Sequence, residues 1–229
     1  NKMNKLDVQK RVSQHGKPLA LDKFKWDENT KTFSTSENNL VLDFDDIDNV
    51  NFIAGTRCTF ITGTGCTFIT GIRCTFKTGD YCTFDTGSYC TFDTGSYCIF
   101  DTGSYCTFDT GSYCIFKTVD YCTFNTRCGC TFETGSCCTF RTGSNCAFKA
   151  GSLCVFYTGS FCTFNTGKDS VVIRRDIYEV IELKEGQTIK LNCSLVKGYK
   201  VIGETKKTVT LEITDDQLVK VKELLKKDK

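Results

Sequence analysis

The sequence predicts an all-β repeat protein, a two-sided β-solenoid of about 16 residues per coil with an N-terminal cap and a small α+β C-terminal module. Three observations carry that expectation. An eight-residue phrase, cleanest in Cys82-Thr83-Phe84-Asp85-Thr86-Gly87-Ser88-Tyr89, recurs with little drift from Leu42 to Thr166. Sixteen of the 19 Phe fall on one series of step eight, Phe44 to Phe164, and 14 of the 17 Cys fall on another, Cys58 to Cys162. Within each phrase, apolar and polar residues alternate in the pattern of a half-buried strand.

That alternation turns Cys and Phe inward and leaves the intervening Thr and the variable residue outside. The expected core ladder therefore includes Cys82, Phe84, Cys90, Phe92, Cys98, Phe100, Cys106 and Phe108. Leu42 and Val50 continue the Cys column upstream, so the position asks for a small apolar group, which a free thiol supplies. Strands about 4.8 Å apart hold parallel side chains poorly placed for disulfides, and the ladder is expected to be mostly reduced. Because the strands of one coil run in opposite directions, Cys is expected to face Phe across the interior. The Gly after the second Thr marks a corner and is expected to supply a backbone conformation that side chains resist.

The number of phrases per coil is legible in the outward columns. At step 16, one side stacks Thr59, Thr75, Thr91, Thr107, Thr123 and Thr139, while the other brings Ile99 and Ile115 onto adjacent rungs. The same step places Asp101, Lys117, Glu133 and Lys149 in alternating sign. A step of 24 produces more like-charge contacts than favourable ones. Cross-strand charge pairs contribute only about 0.2–1 kcal/mol each, and they favour two phrases per coil.

In chain order, residues 1–40 read as a capping segment, with a short helix from Leu6 to Val12 and a hairpin turning at Asp27-Glu28-Asn29-Thr30. Residues 41–167 form the solenoid, sixteen phrases in eight coils. Residues 168–229 form the C-terminal module, a cap or an attachment unit. Its expected strands are Val171–Ile173, Ile177–Leu183, Thr188–Leu191, Tyr199–Ile202 and Thr208–Ile213. Thr214-Asp215-Asp216-Gln217 then opens a helix.

The chemistry of catalysis is sparse. His15 is the only histidine and has no evident Cys partner. Cys128, Cys137 and Cys193 fall outside the Cys series, and no C-x-x-C pair suggests zinc. No cofactor and no metal are expected, nor is an enzyme. The formal net charge of +2 argues against nucleic acid, and no segment is apolar enough for membrane insertion. The first residues lack the apolar centre of a signal peptide, and a virion or extracellular fibre is the expected location.

Six Tyr precede Cys in one column: Tyr81, Tyr89, Tyr97, Tyr105, Tyr113 and Tyr121. At step 16 they form two three-rung ladders. Tyr81, Tyr97 and Tyr113, beside Ile99 and Ile115, form the candidate surface contact, for a glycan, a cell surface or another protein. The row Thr59, Thr75, Thr91, Thr107, Thr123 and Thr139 raises ice binding. Insect antifreeze coils look similar, but they show two Thr ranks where charged residues flank one rank here.

The phrase C-T-F-x-T-G-x-x, with the lead-in Phe24-Lys25-Trp26-Asp27 and the tail Val172-Ile173-Arg174-Arg175-Asp176, resembles octapeptide-repeat proteins of large DNA viruses and tailed phages. The resemblance covers most of the chain and brings no catalytic motif. It implies a structural or surface role, a rigid rod forming a homo-oligomer or a head-to-tail filament.

Overall fold

A computed structural model describes residues 3–203. Alternation of inward and outward residues every second position, interrupted by a corner every eighth, folds the chain into two sheets of 12 strands each. In each sheet nine strands run parallel, and partners are 16 residues apart throughout the regular part, as in Phe84↔Phe100 and Phe92↔Phe108. Consecutive phrases alternate between the sheets. Thr91–Thr94 belongs to the first sheet, and Thr83–Thr86 and Ile99–Thr102 belong to the second. The two-sided, 16-residue coil is the architecture of the protein.

Nine parallel strands per sheet is one more than the eight coils counted from the phrase, because residues outside it also take rungs. Phe33, on Thr32–Ser34, pairs in parallel with Phe52, and Val172, on Ser170–Arg174, pairs with Phe156. Ser170 stands in the Cys column of that last rung, and its hydroxyl donates to the Gly151 carbonyl as the thiols below it do to theirs.

The first coil departs from the eight-residue arithmetic. Leu42 pairs with Phe60 and Phe44 with Thr62, so Leu42 lies in the Phe column and not the Cys column. The five-residue strand Leu40–Phe44 buries three alternate residues, Leu40, Leu42 and Phe44, and these fill all three inward positions of a rung. Val50 does continue the Cys column, one residue before the Asn51↔Thr67 pair.

Phe meets Phe in the centre of the rod, which corrects the expectation of Phe against Cys. Phe84 and Phe100 stack within one sheet with centroids 4.8 Å apart and planes at 2°. Phe92 of the other sheet inserts edge-on between them, 5.2 Å from each at 78° and 79°. Each ring thus presents its edge to the faces opposite, the arrangement its quadrupole favours. Two rows of rings fill the interior width alone, and Cys is displaced to the corner, one residue before its strand begins.

Antiparallel strands close both ends. Val12–Gln14 pairs with Leu40–Phe44 and is itself flanked by Lys17–Pro18, while Lys25–Asp27 pairs with Thr32–Ser34. The two-residue outer strand carries the only proline, which blunts further pairing. The expected helix is shorter, Lys5–Gln9, and Val12 starts a strand instead; Asn4 caps it by accepting from the Leu6 and Asp7 amides. The hairpin turn at Asp27 forms through its carboxylate, which accepts from the Asn29 and Thr30 amides.

At the other end Glu179–Leu183 pairs with Ser170–Arg174, and Thr188–Leu191 pairs with Thr163–Thr166 and with Tyr199–Ile202. The C-terminal segment as far as residue 203 therefore extends both sheets. The strand expected at Thr208–Ile213 and the helix opened by Thr214 lie outside the described residues.

Candidate functional site

Each position of the phrase has one physical task, and what remains free defines the candidate surfaces. The thiol of Cys82 donates to the Asp80 and Gly63 carbonyls at 3.6 and 3.7 Å, and Cys90 and Cys98 repeat the pattern. All 14 in-register thiols are buried and free. Hydrogen bonding with the sulfurs above and below, together with burial, pushes the Cys98 and Cys106 thiols up. A neutral, enclosed thiol is a poor nucleophile and a poor metal ligand. The second Thr of the phrase is also inward: Thr86 is buried, and its hydroxyl donates to the Gly87 carbonyl.

The corner reverses the roles expected of Gly and Tyr. The Gly of the phrase has an ordinary φ and suits the column because the adjacent coil lies close, although Val119 and Arg127 occupy the same position in two units. A Cβ on Gly103 would stand 2.2 Å from the Ser88 hydroxyl and 2.8 Å from the Ser88 amide nitrogen. The left-handed conformation falls instead on the residue just before Cys. At Tyr81, Tyr89, Tyr97, Tyr105, Tyr113 and Tyr121, φ lies between 58° and 60°. That backbone costs about 1–2 kcal/mol per non-Gly residue, partly offset here by stacking of the rings. Between these two positions, Ser or Asp accepts from the amide one coil above, as Ser88 does from Ser104 and Asp80 from Ser96.

The Tyr ladders run along the two opposite edges. Tyr81, Tyr97 and Tyr113 stack at 5.1 and 5.2 Å on one edge, and Tyr89, Tyr105 and Tyr121 stack at 4.9 Å on the other. Arg73 lies over the first ring of the second ladder, 5.5 Å from the Tyr89 centroid. Stacking covers most ring faces and leaves the edges and hydroxyls outward.

The faces are defined by register. On the first sheet Thr59, Thr75, Thr91, Thr107, Thr123 and Thr139 occupy consecutive rungs, beside the column Ile61, Lys77, Asp93, Asp109, Asn125 and Arg141. On the second sheet Ile99 and Ile115 are paired neighbours, about half exposed, and lie on the strands that follow Tyr97 and Tyr113. The charged column beside them forms ion pairs between rungs, Lys117 with Asp101 at 3.4 Å and Lys149 with Glu133 at 2.7 Å. Two like-charged contacts, Asp85↔Asp101 and Asp93↔Asp109, are also adjacent.

The three Cys outside the series lie at the surface. Cys128 replaces the corner Ser, Cys137 follows Tyr121 in its edge column, and Cys193 belongs to the C-terminal loop. Cys128 and Cys193 are exposed, Cys137 is half-buried, and all three are unpaired by disulfides. His15 sits exposed in a turn at φ 50°. The C-terminal end holds a buried cation that sequence reasoning missed. Arg174 is fully buried, pairs with Asp176 at 2.6 Å and Glu179 at 3.6 Å, and donates to the Cys193 and Val196 carbonyls. Its strand position, inward by alternation, was the available signal.

Comparison with family models, curated protein sequences and solved structures yields no match to this chain.

Proposed function

We propose that the protein is a non-enzymatic structural rod that assembles through its outer surfaces into a fibre, a filament or a virion surface appendage. The observation that carries this is the use of the repeat itself. Cys, Phe and the second Thr build the interior, Gly and Ser or Asp join the coils, and within the described repeat the outward columns and the edge rings remain for contact. The chain covers the ends of its parallel ladders with its own antiparallel strands. Among the described residues, faces and edges are thus the broadest surfaces offered to another copy. Negative-stain images at micromolar concentration should show bundles or filaments wider than one solenoid; compact monomers at every concentration and salt would contradict the proposal.

Ice binding is a second reading, favoured by the six-rung Thr row. The Lys77, Asp93, Asp109 and Arg141 side chains beside it interrupt any ordered water plane. Thermal hysteresis that disappears in Thr91→Lys/Thr107→Lys would establish it over the rod. A glycan platform is less well served, because a sugar stacks on ring faces and most of these are covered. It predicts that Tyr97→Ala and Tyr113→Ala lose glycan binding while keeping the fold.

A further inference from the structure

The second face is complementary to itself. Its charged column reads Asp101, Lys117, Glu133, Lys149 on four consecutive rungs, with Asp85 below and Asn165 above. The order of signs is −, +, −, +, which is antisymmetric about its centre. A half-turn about an axis parallel to the strands, between the Lys117 and Glu133 rungs, lays a second copy face to face with its rod reversed. Each column then meets its own kind in reverse order. Asp101 opposes Lys149, Lys117 opposes Glu133, and the symmetry repeats both pairs, while Asp85 meets the uncharged Asn165.

The neighbouring column fits the same operation. Ile115 meets Thr131, Ile99 meets Ala147 and Thr83 meets Thr163, so the longer apolar side chains oppose shorter ones; farther out Lys190 and Lys200 enter the column opposite the uncharged Thr67 and Asn51. Moving the axis by one rung towards Asp101 sets Asp85 against Glu133, and moving it towards Lys149 leaves Glu133–Lys149 as the single oppositely charged couple, so this register has the most complementary pairs. On the first face, no reversal of Lys77, Asp93, Asp109, Asn125 and Arg141 produces more than one oppositely charged couple.

The surface is also flat enough to be covered. Successive Phe rings beneath it, from Phe84 to Phe148, differ in plane by only 2° to 4°. The four charged side chains keep between 59% and 74% of their area in solvent. Overlap of ten strands at about 4.8 Å each, on strands about 13 Å wide, buries roughly 600 Å² per copy. That is close to the lower bound for a stable interface, so the contact is reversible and weakened by salt.

We infer that the second sheet is a homotypic interface on which a second copy of the chain lies antiparallel, held by Asp101–Lys149 and Lys117–Glu133 pairs. The inference rests on the rod proposal and names its contact. Sedimentation velocity of the full chain at low salt tests it. Wild type should dimerise, and high salt should weaken the dimer. Lys117→Glu/Lys149→Glu makes the column uniformly acidic and should weaken association at least about 100-fold. The fourfold exchange Asp101→Lys, Lys117→Asp, Glu133→Lys, Lys149→Glu keeps the alternation and should restore the dimer. Mixed with wild type, it opposes like charges and should form no heterodimer.

Circular dichroism of each variant verifies the fold, and a fourfold exchange that lowers the melting temperature is replaced by Lys117→Asp/Glu133→Lys, mixed with wild type. Association of Lys117→Glu/Lys149→Glu at wild-type strength would overturn this interface and leave the rod proposal standing. Wild type that stays monomeric at every concentration and salt would overturn both.

Discussion

Between Phe84 and Phe148 the interior of this solenoid repeats from coil to coil, whereas its two faces differ from each other. Phe stacks at 4.8 Å from Phe84 through Phe148 without interruption, yet one face carries an unbroken Thr row and the other carries Ile99, Ile115 and alternating charge. A stacked coil can be altered outside at little cost, because outward side chains touch only their rung neighbours. It cannot be altered inside without disturbing the rungs above and below. The difference separates what holds the rod together from what the rod presents.

The strongest break in that comparison comes from the interior. Phe100 stacks on Phe84 and Phe116 and meets Phe92 and Phe108 edge-on, so Phe100→Ala leaves a cavity among four rings. A loss of about 3–5 kcal/mol is expected in denaturant unfolding. Ile99→Ala, one residue away on the face, should cost under about 1 kcal/mol. Equal losses at the two positions would contradict the division between interior and surface.

The C-terminal end is the next most sensitive region. Arg174→Met leaves Asp176 and Glu179 without their buried cation and should destabilise the end by about 3 kcal/mol, read as faster amide exchange in Thr188–Leu191. Desolvation pushes the Asp176 carboxyl up, but hydrogen bonds from Arg174 and the Leu195 amide outweigh it and hold the group below its ordinary value. A depressed folded value means that Asp176 contributes stability above its unfolded pKa and loses it as pH falls through the folded one. Wild type should therefore lose stability on acidification below about pH 4, and Arg174→Met should show a shallower acid dependence.

A finer contrast lies within one corner. Gly103→Ala forces a Cβ onto Ser88 and should cost about 1–3 kcal/mol, although its φ is ordinary. Tyr105→Gly, two residues on, relieves a left-handed backbone while removing two ring stacks and should stay within about 1 kcal/mol of wild type. A Tyr105→Gly loss larger than that of Gly103→Ala, measured by thermal unfolding, would reverse the assignment of close approach and backbone strain.

The sequence made the coil legible because periodicity states which residues are equivalent and, through the outward columns, which become neighbours. The Lys117–Asp101 and Lys149–Glu133 pairs and the Ile99–Ile115 contact follow from step 16 alone. Periodicity does not say what an inward residue faces. That is why Phe against Phe, and Cys at the corner, had to be seen in three dimensions. Nor does residue type settle backbone conformation: Gly suggests a left-handed corner, and Tyr occupies it. Leu42 shows the limit of counting, since a burial pattern over five residues overrode the eight-residue series. Arg174 sits inward against the general rule for charge, compensated by two carboxylates that the sequence places nearby without revealing their pairing.

The division between a sealed interior and a working surface is tested most directly by counting thiols with an aromatic disulfide reagent under non-reducing conditions. The 17 Cys divide into 14 buried in the ladder and Cys128, Cys137 and Cys193 at the surface. The folded protein should titrate three thiols promptly, and denaturant should release the other 14 together. More than three prompt thiols, or fewer than 17 in denaturant, would contradict a closed ladder of reduced cysteines.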